Sequence, residues 1–535
     1  MKKIDYLALF IFEIVIILLV GLFQKSPGYM DAEYYYSGGI RLAEGYGFSE
    51  EFLWNYLDDP QGIPHPSHGY WMPLASILAA SGMFLGNRIS FEFGRSAFVI
   101  IAGLIPPLTA MLGYQINQRR DYAIISGFLA GMPAFYLSYI GTTDTFGLNM
   151  ALGGLFVWLI GMDVSQLSRD RRGLFFLGLG ILAGLMHLSR VDGILWLGMI
   201  AIYIVIMWFK NLREKTNKSG IIPFFYDFGI GVLGYLLIMG PWMVRNYLEF
   251  DSLFSPGGTK SLWITSYDEL YAYPSSILDF THWANSGWMN IIKARSWAGW
   301  NNIQSTIVVE GEIFLAPLMV WGIWKNRQSI QVKVACIAWL LIFLTMTLIF
   351  PYQGARGGFF HSTAAIQPLL WALVPVGLNE FVLWGKKIRH WNYSQAKTFF
   401  QWGILGLACF LSIVMVSKRV IGGNFSNPEW NKGYITYMQL EKKIREVASA
   451  SDEIVMVNNP PGYYLASFRP CIAIPNGSLE QVMDAAHRYN AKYIILEANH
   501  PVGVENLYDK PGNQSGLKYL FSFEGAQFYQ IESGG

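Results

Sequence analysis

Two carboxylates stand two residues apart in Met30-Asp31-Ala32-Glu33-Tyr34-Tyr35, directly after the first strongly apolar stretch of the chain. Further on, His65-Pro66-Ser67-His68-Gly69-Tyr70-Trp71-Met72-Pro73-Leu74 runs into a shorter apolar stretch. An ionisable group beside a hydrophobic helix is costly unless it has a task, so the placement points to chemistry at a membrane face. Four other polar strings interrupt the apolar sequence. They are Thr142-Thr143-Asp144, Arg190-Val191-Asp192, Arg245-Asn246-Tyr247 and Gln353-Gly354-Ala355-Arg356-Gly357-Gly358-Phe359-Phe360-His361. Carboxylates together with arginines suit a site that moves a proton and holds an anion. The planar guanidinium fork makes two parallel hydrogen bonds to phosphate.

Each string also has a plainer structural reading. Asp31 and Glu33 can mark the water boundary. Asp144, with Thr143, can cap the helix that follows it. Arg190 and Asp192 can pair with each other, and Arg245 can reach toward lipid headgroups. Gly357-Gly358 beside Arg356 can be a turn. His65 and His68 lack a convincing third ligand for a metal, which favours surface or substrate-contact roles. Trp283, Trp288, Trp297 and Trp300 fit an interfacial belt, with stacking on a sugar as the alternative.

The elements that must position these residues are membrane helices. Of the 535 residues, 53% are hydrophobic, 16% aromatic and 14% charged. Soluble domains carry about 25% charged residues. The mean hydropathy of +0.31 agrees with an integral membrane protein. A net charge of +2 provides no field to gather nucleic acid. Cys336 and Cys409 lie in apolar runs and Cys471 is alone in the tail, so there is no disulfide framework and no zinc spacing. The apolar run after Lys2-Lys3 is long for a signal sequence and no small-residue cleavage site follows it, so it reads as a retained first helix.

Eleven spans are expected, at roughly 5–23, 96–116, 122–139, 146–162, 174–189, 193–209, 223–240, 307–324, 334–350, 363–383 and 399–417. The basic clusters Arg119-Arg120, Arg169 to Arg172, Lys210 to Lys218, Lys325 to Lys333 and Lys386 to Lys397 fall in alternate loops, on the side of Lys2 and Lys3. That is the positive-inside pattern, with a cytoplasmic N-terminus and the tail outside. The apolar 72–86 segment would invert the pattern if it crossed, so it reads as a re-entrant or interfacial helix. Residues 24–95 and 241–306 are then the two large outer loops, and all five polar strings face outward. The expected architecture is a polytopic α-helical membrane domain, residues 1–420, followed by a small extracytoplasmic α/β domain, residues 421–535. In that tail, 453–458 and 493–496 read as strands and 479–489 as an amphipathic helix. It has no Gly-rich phosphate loop, so no nucleotide is assigned.

In order and on one side, these motifs resemble the GT-C superfamily of polytopic glycosyltransferases, in the branch of the bacterial aminoarabinose transferases and protein O-mannosyltransferases. The resemblance covers about residues 1–385 in layout. It rests on Asp31 to Tyr35 with Leu42 to Phe48 as the following helix, and on His65 to Leu74. Thr143-Asp144, Ser189 to Gly193 and Pro241 to Tyr247 add to it. The mannosyltransferases often carry adjacent acids, whereas Ala32 separates them here. The aminoarabinose enzymes carry a lysine before Tyr-Trp, where this chain has His65 and His68, so a lipid A acceptor is not supported.

The resemblance implies a multi-pass plasma-membrane enzyme that takes a sugar from a polyprenyl-phosphate donor and transfers it on the extracytoplasmic face. The acceptor is an unassigned glycan, lipid or protein. Asp31 is the implied base, and attack opposite the phosphate gives inversion. Arg356, then Arg245, would steady the leaving phosphate. Asp144, Arg190, His65, His68, Tyr70 and His361 complete the expected substrate contacts, with Glu33 beside the base. No cofactor is required, although carboxylates 31, 33 and 144 could share a divalent ion. A transporter or flippase for lipid-linked saccharides, or a non-catalytic binding protein, is the competing reading. A transporter needs no paired acids in a large first loop and often shows internal repeats, and no repeat is evident.

Overall fold

A run of apolar residues with no water to satisfy its backbone must close its own hydrogen bonds, which makes it a helix. The computed structural model describes residues 1–164, 167–214, 222–514 and 516–532. Lys215 and Lys218 of the basic loop clusters lie outside the described residues. Among these residues, eight helices are long and apolar enough to cross a membrane. They are Lys3–Gly21, Phe91–Asn117, Arg169–Ser189, Val191–Lys210, Phe224–Phe250, Ile330–Ile349, Pro351–Arg389 and Tyr393–Ile421. The chain is a polytopic α-helical membrane protein with a small α/β region at its end.

The three remaining expected spans are helical but shorter. Residues 145–160 form one helix. The 122–139 segment is the helix Arg120–Gly131, a break at Met132-Pro133 and a 3-10 turn over Ala134–Ser138. Proline there has no N–H to continue the ladder. The 307–324 segment breaks between Glu310 and Ala316, where Glu312 and Ile313 adopt φ of 46° and 63°. Its two glutamates explain the break, since buried carboxyls need partners that a smooth span does not offer.

The chain divides into two compact units. The first comprises Met1–Phe23, Arg95–Arg245 and Ala294–Ile421 and holds most of the long apolar helices. The second comprises Gln24–Gly94, Asn246–Lys293 and Gly422–Gly535. In this second unit the helix Met30–Ala43 carries the acidic string on its first turn. The acids therefore begin a helix that runs on to Ala43, where the sequence reading placed them ahead of a later one. The 72–86 segment is the helix Leu74–Leu85, whose 12 residues are too few to cross a bilayer alone.

The second unit is organised by a six-stranded sheet. In chain order its strands are β2 (Phe52–Leu53), β4 (Ile454–Val457), β5 (Cys471–Ala473), β6 (Ala491–Leu496), β7 (Leu517–Phe523) and β8 (Ala526–Ile531). The order across the sheet is β2-β5-β4-β6-β8-β7. The first four strands are parallel, with Val455 and Phe52 both opposite Cys471. β8 runs antiparallel to both neighbours. β4 and β5 are apolar throughout, and β6 is so apart from Lys492, as strands of a parallel sheet covered on its faces are. One of these helices, Leu479–Arg488, starts with a Ser478/Gln481 capping box and buries Val482, Ala485 and Ala486. β2 comes from residues 24–95, the loop expected to be the first outer one. The same loop makes a two-residue antiparallel pair between β1 (Ser49–Glu50) and β3 (His65–Pro66).

Candidate active site

In the second unit the site is built around the first turn of Met30–Ala43. Gly28, at φ +92°, turns the chain against the Trp430 ring, where a side chain would clash. Tyr29 then enters the helix extended, and Asp31 and Glu33 fall in its first turn. Negative charge is favoured there by the unpaired N–H groups and the helix dipole. Residues two apart on a helix point to different sides, and the two acids do so here.

Asp31 is half-buried, and the hydroxyl of Tyr271 lies 3.8 Å from the sulfur of Met30, the residue before it. Burial, together with the neighbouring Tyr267, Asp31 carboxylate, Tyr70 and Asp268, pushes the Tyr271 phenol above its usual range. Tyr70, half-buried, packs with Tyr271 against the Trp54 ring. Glu33 is only 3% exposed and receives a 2.8 Å hydrogen bond from Asn459 Nδ2. Burial pushes its carboxyl up to about 7, with the Asn459 donor acting against the shift. Glu33 therefore packs against the tail.

The two histidines correct the expected substrate contacts. His68 is fully buried. Its backbone is left-handed at φ 65°, and its N–H donates to the Tyr34 hydroxyl at 2.8 Å. Its ring lies 2.7 Å from Ser67 Oγ and 3.0 Å from Ser76 Oγ. His65 is buried and hydrogen-bonded to Asp58 Oδ2 at 2.7 Å. With both rings enclosed and partnered, they fasten the loop that carries Tyr70 and the helix that carries Asp31.

The first unit gathers the other expected residues. Asp144 is buried and caps Thr145–Ile160, accepting the Thr145 N–H at 2.6 Å. The next residues reach His361: Thr145 Oγ1 is 3.4 Å from its Nδ1, and the Phe146 ring stacks on it at 3.6 Å. Asn149 donates to the His361 carbonyl at 3.2 Å and accepts from Ser189 Oγ at 3.0 Å. Arg190 joins Asp192 at 3.1 Å and donates to the Gly358 carbonyl at 3.4 Å. Asn149, Arg190, Asp192, Trp196 and Ser362 line a small cleft open to solvent. So Asp144, Arg190 and His361 meet in one neighbourhood. Arg356, exposed, lies two residues from Gly358, and Gly357 between them takes φ +133°, which breaks the helix and lets its backbone face the cleft residues.

Arg245 is a further correction. It was placed at the start of an outer loop, but Ile222–Phe250 runs through Pro241 as one helix. Trp242 and Asn246, one turn apart, stay buried and keep that helix going. The Arg245 guanidinium lies 4.8 Å over the Trp242 ring.

Other charged groups escaped the sequence reading. Glu310 and Glu312 are buried within an expected span. Thr363 and Trp339 donate to Glu310 at 2.5 and 3.3 Å, and Trp371 donates to Glu312 at 3.4 Å. Two acids inside a span were the available signal. Arg419, exposed on the final turn of the last long helix, lies within electrostatic reach of Tyr139, as does Asp144. A cation on the side expected to be poor in them was the signal there. Among the described residues, no three or more His, Cys, Asp or Glu side chains are placed together to hold a metal ion.

Chemically, one unit supplies a half-buried carboxylate beside aromatic rings. The other supplies arginines, amides and a buried histidine around a small cleft. No family model matches the chain. It is 25% identical over 304 residues to dolichyl-phosphooligosaccharide-protein glycotransferase 2 of Archaeoglobus fulgidus, covering 52% of this chain and 46% of that protein. The match spans less than half of that relative's length. Among solved structures, ArnT from Cupriavidus metallidurans bound to undecaprenyl phosphate superposes with a TM-score of 0.59 at 10% identity, covering 99% of this chain and 98% of that one. The Archaeoglobus fulgidus oligosaccharyltransferase in its apo form gives 0.53 at 13% identity, covering 95% and 71%. AglB of the same organism, in complex with an inhibitory peptide and a dolichol-phosphate, gives 0.53 at 12%, covering 94% and 70%. At these identities the likeness establishes the fold.

Proposed function

We propose that this chain, whose fold is that of the GT-C membrane glycosyltransferases, transfers a sugar from a polyprenyl-phosphate donor to an acceptor hydroxyl or amide on the extracytoplasmic face. The observation that carries the reading is Asp31. It sits half-buried on the first turn of the helix Met30–Ala43, next to the Met30 whose sulfur the Tyr271 hydroxyl meets, in a chain of this fold. The lipid phosphate carriers bound by the two fold relatives, and the dolichyl-phosphooligosaccharide named for the curated relative, support a lipid-linked donor here.

In this reading Asp31 takes the acceptor proton as the new bond forms at the anomeric carbon. The bond from that carbon to the phosphate oxygen breaks on the opposite face, so the configuration inverts. A positioned base contributes about 10²–10⁴-fold. The departing lipid phosphate carries away the electron pair and needs fixed cations. Arg356 and Arg190, near the Gly358 carbonyl, are the first candidates, with Arg245 on the neighbouring helix as a third. Asp144 and His361 shape the wall beside them. Glu33 holds the helix of Asp31 against the tail.

The test is reconstitution in liposomes with radiolabelled polyprenyl-phosphate sugars and a membrane extract as acceptor. Label should move from the lipid to an extract component with inverted anomeric configuration by NMR. Donor that binds but is never consumed would return the transporter reading.

A further inference from the structure

We infer that the acceptor itself is a carbohydrate, and that its ring is held on an aromatic platform next to Asp31. This rests on the glycosyltransferase reading above and names its acceptor class. Four rings meet in the second unit. Trp54, 6% exposed, stacks on Trp71 with centroids 4.1 Å apart and planes 13° from parallel. Tyr70 stands against Trp54 at 5.1 Å and 81°, and Tyr271 at 5.9 Å and 82°. Two tyrosines are therefore set nearly perpendicular to one buried indole, and Tyr70, Trp71 and Tyr271 all remain partly exposed.

This arrangement is more than core packing. A core ring is enclosed, whereas these three keep surface, and they keep it beside a carboxylate. The Tyr271 hydroxyl lies 3.8 Å from the sulfur of Met30, the residue before Asp31. The combination of rigid ring faces, phenol hydroxyls and one carboxylate matches the surface of a pyranose, whose C–H face packs on aromatic rings while its hydroxyls bond at the edge. A peptide backbone would call for aligned backbone donors and acceptors or an exposed strand edge at this place. A lipid headgroup would call for cations, and the groups that meet here are rings and carboxylates. Because Asp31 is the proton acceptor, the ring on the platform is the one whose hydroxyl is attacked from, that is, the acceptor.

Initial rates in the reconstituted system, with a labelled polyprenyl-phosphate sugar that the wild type consumes, decide this. Three acceptors are offered separately: free trisaccharides of hexose and N-acetylhexosamine, an octapeptide containing Ser, Thr and Asn, and phosphatidylethanolamine vesicles. Transfer to a trisaccharide is expected. Tyr70→Leu and Tyr271→Leu should raise its KM by about tenfold or more with kcat little changed. Wild-type transfer only to the peptide or the lipid, or leucine variants with unchanged KM, overturns the inference and leaves the enzyme reading standing. Failure to consume donor with any acceptor overturns both. If a leucine variant does not fold, saturation transfer from wild-type aromatic protons to trisaccharide C–H protons, without donor, replaces it. Its absence overturns the platform.

Discussion

Asp31 and Glu33 carry the same chemistry in different environments, the first half-buried and the second enclosed. Glu33 is enclosed by the tail, where a Cβ on Gly462 would lie 2.7 Å from its Oε2. Burial raises its carboxyl from an ordinary 4.5 to about 7. In the unfolded chain it ionises at the lower value. Below that value both states are protonated and the group costs nothing. As pH rises through the folded value, the native state must either bury a charge or keep a proton that the unfolded chain has lost. Stability is therefore expected to fall between about pH 5 and 8, by on the order of 3 kcal/mol from this group. Glu33→Gln should flatten the pH dependence of the unfolding temperature in detergent across that window. An unchanged slope would show that Glu33 is solvated. Asp144 offers a second residue-scale test. Asp144→Asn keeps the cap acceptor, and Asp144→Ala removes it at about 1 kcal/mol. If Asp144 also serves the reaction, Asp144→Asn should unfold at the wild-type temperature yet lose at least tenfold in kcat. Parallel losses in both would reduce it to a cap.

At the scale of elements, every expected span is helical, because apolar runs bounded by basic clusters leave the backbone few alternatives. Legibility ended where an element depends on partners distant in sequence. Neither Phe52–Leu53 nor Cys471–Ala473 is long enough to announce a strand, and their pairing exists only because the sheet brings the loop to the tail. Asp31 and Tyr70 could be read from local motifs. Trp54 and Tyr271 could not, since nothing local ties residue 271 to residue 31. His68 misled because a histidine near a motif looks functional until its burial is seen. Close helix packing also escaped the apolar pattern. Gly180 on Arg169–Ser189 faces the Gly231 carbonyl of Ile222–Phe250, and Gly234 faces the Leu177 carbonyl in return. Small residues let the two backbones approach. Gly180→Leu is expected to destabilise by about 1–3 kcal/mol, seen as a lower unfolding temperature in detergent. A variant as stable as wild type would mean that these helices are not in close contact.

At the scale of the whole chain, the charge pattern predicts a cytoplasmic N-terminus and an external tail. With Cys336 and Cys409 replaced by serine, cysteines can be placed at exposed Asn499 and exposed Gln118. A membrane-impermeant maleimide should label Asn499→Cys in intact cells, and Gln118→Cys only after permeabilisation. The reverse labelling would invert the topology and put Asp31 on the wrong side for a polyprenyl-phosphate donor that is consumed outside.

The proton-accepting role of Asp31 is the centre of the account, and Asp31→Asn tests it most directly. Wild type and variant are compared in liposomes for transfer from a labelled polyprenyl-phosphate sugar, with donor binding measured in parallel. The account predicts bound donor in both and a loss of about 10²-fold or more in transfer by the variant. Transfer by Asp31→Asn at the wild-type rate would contradict it.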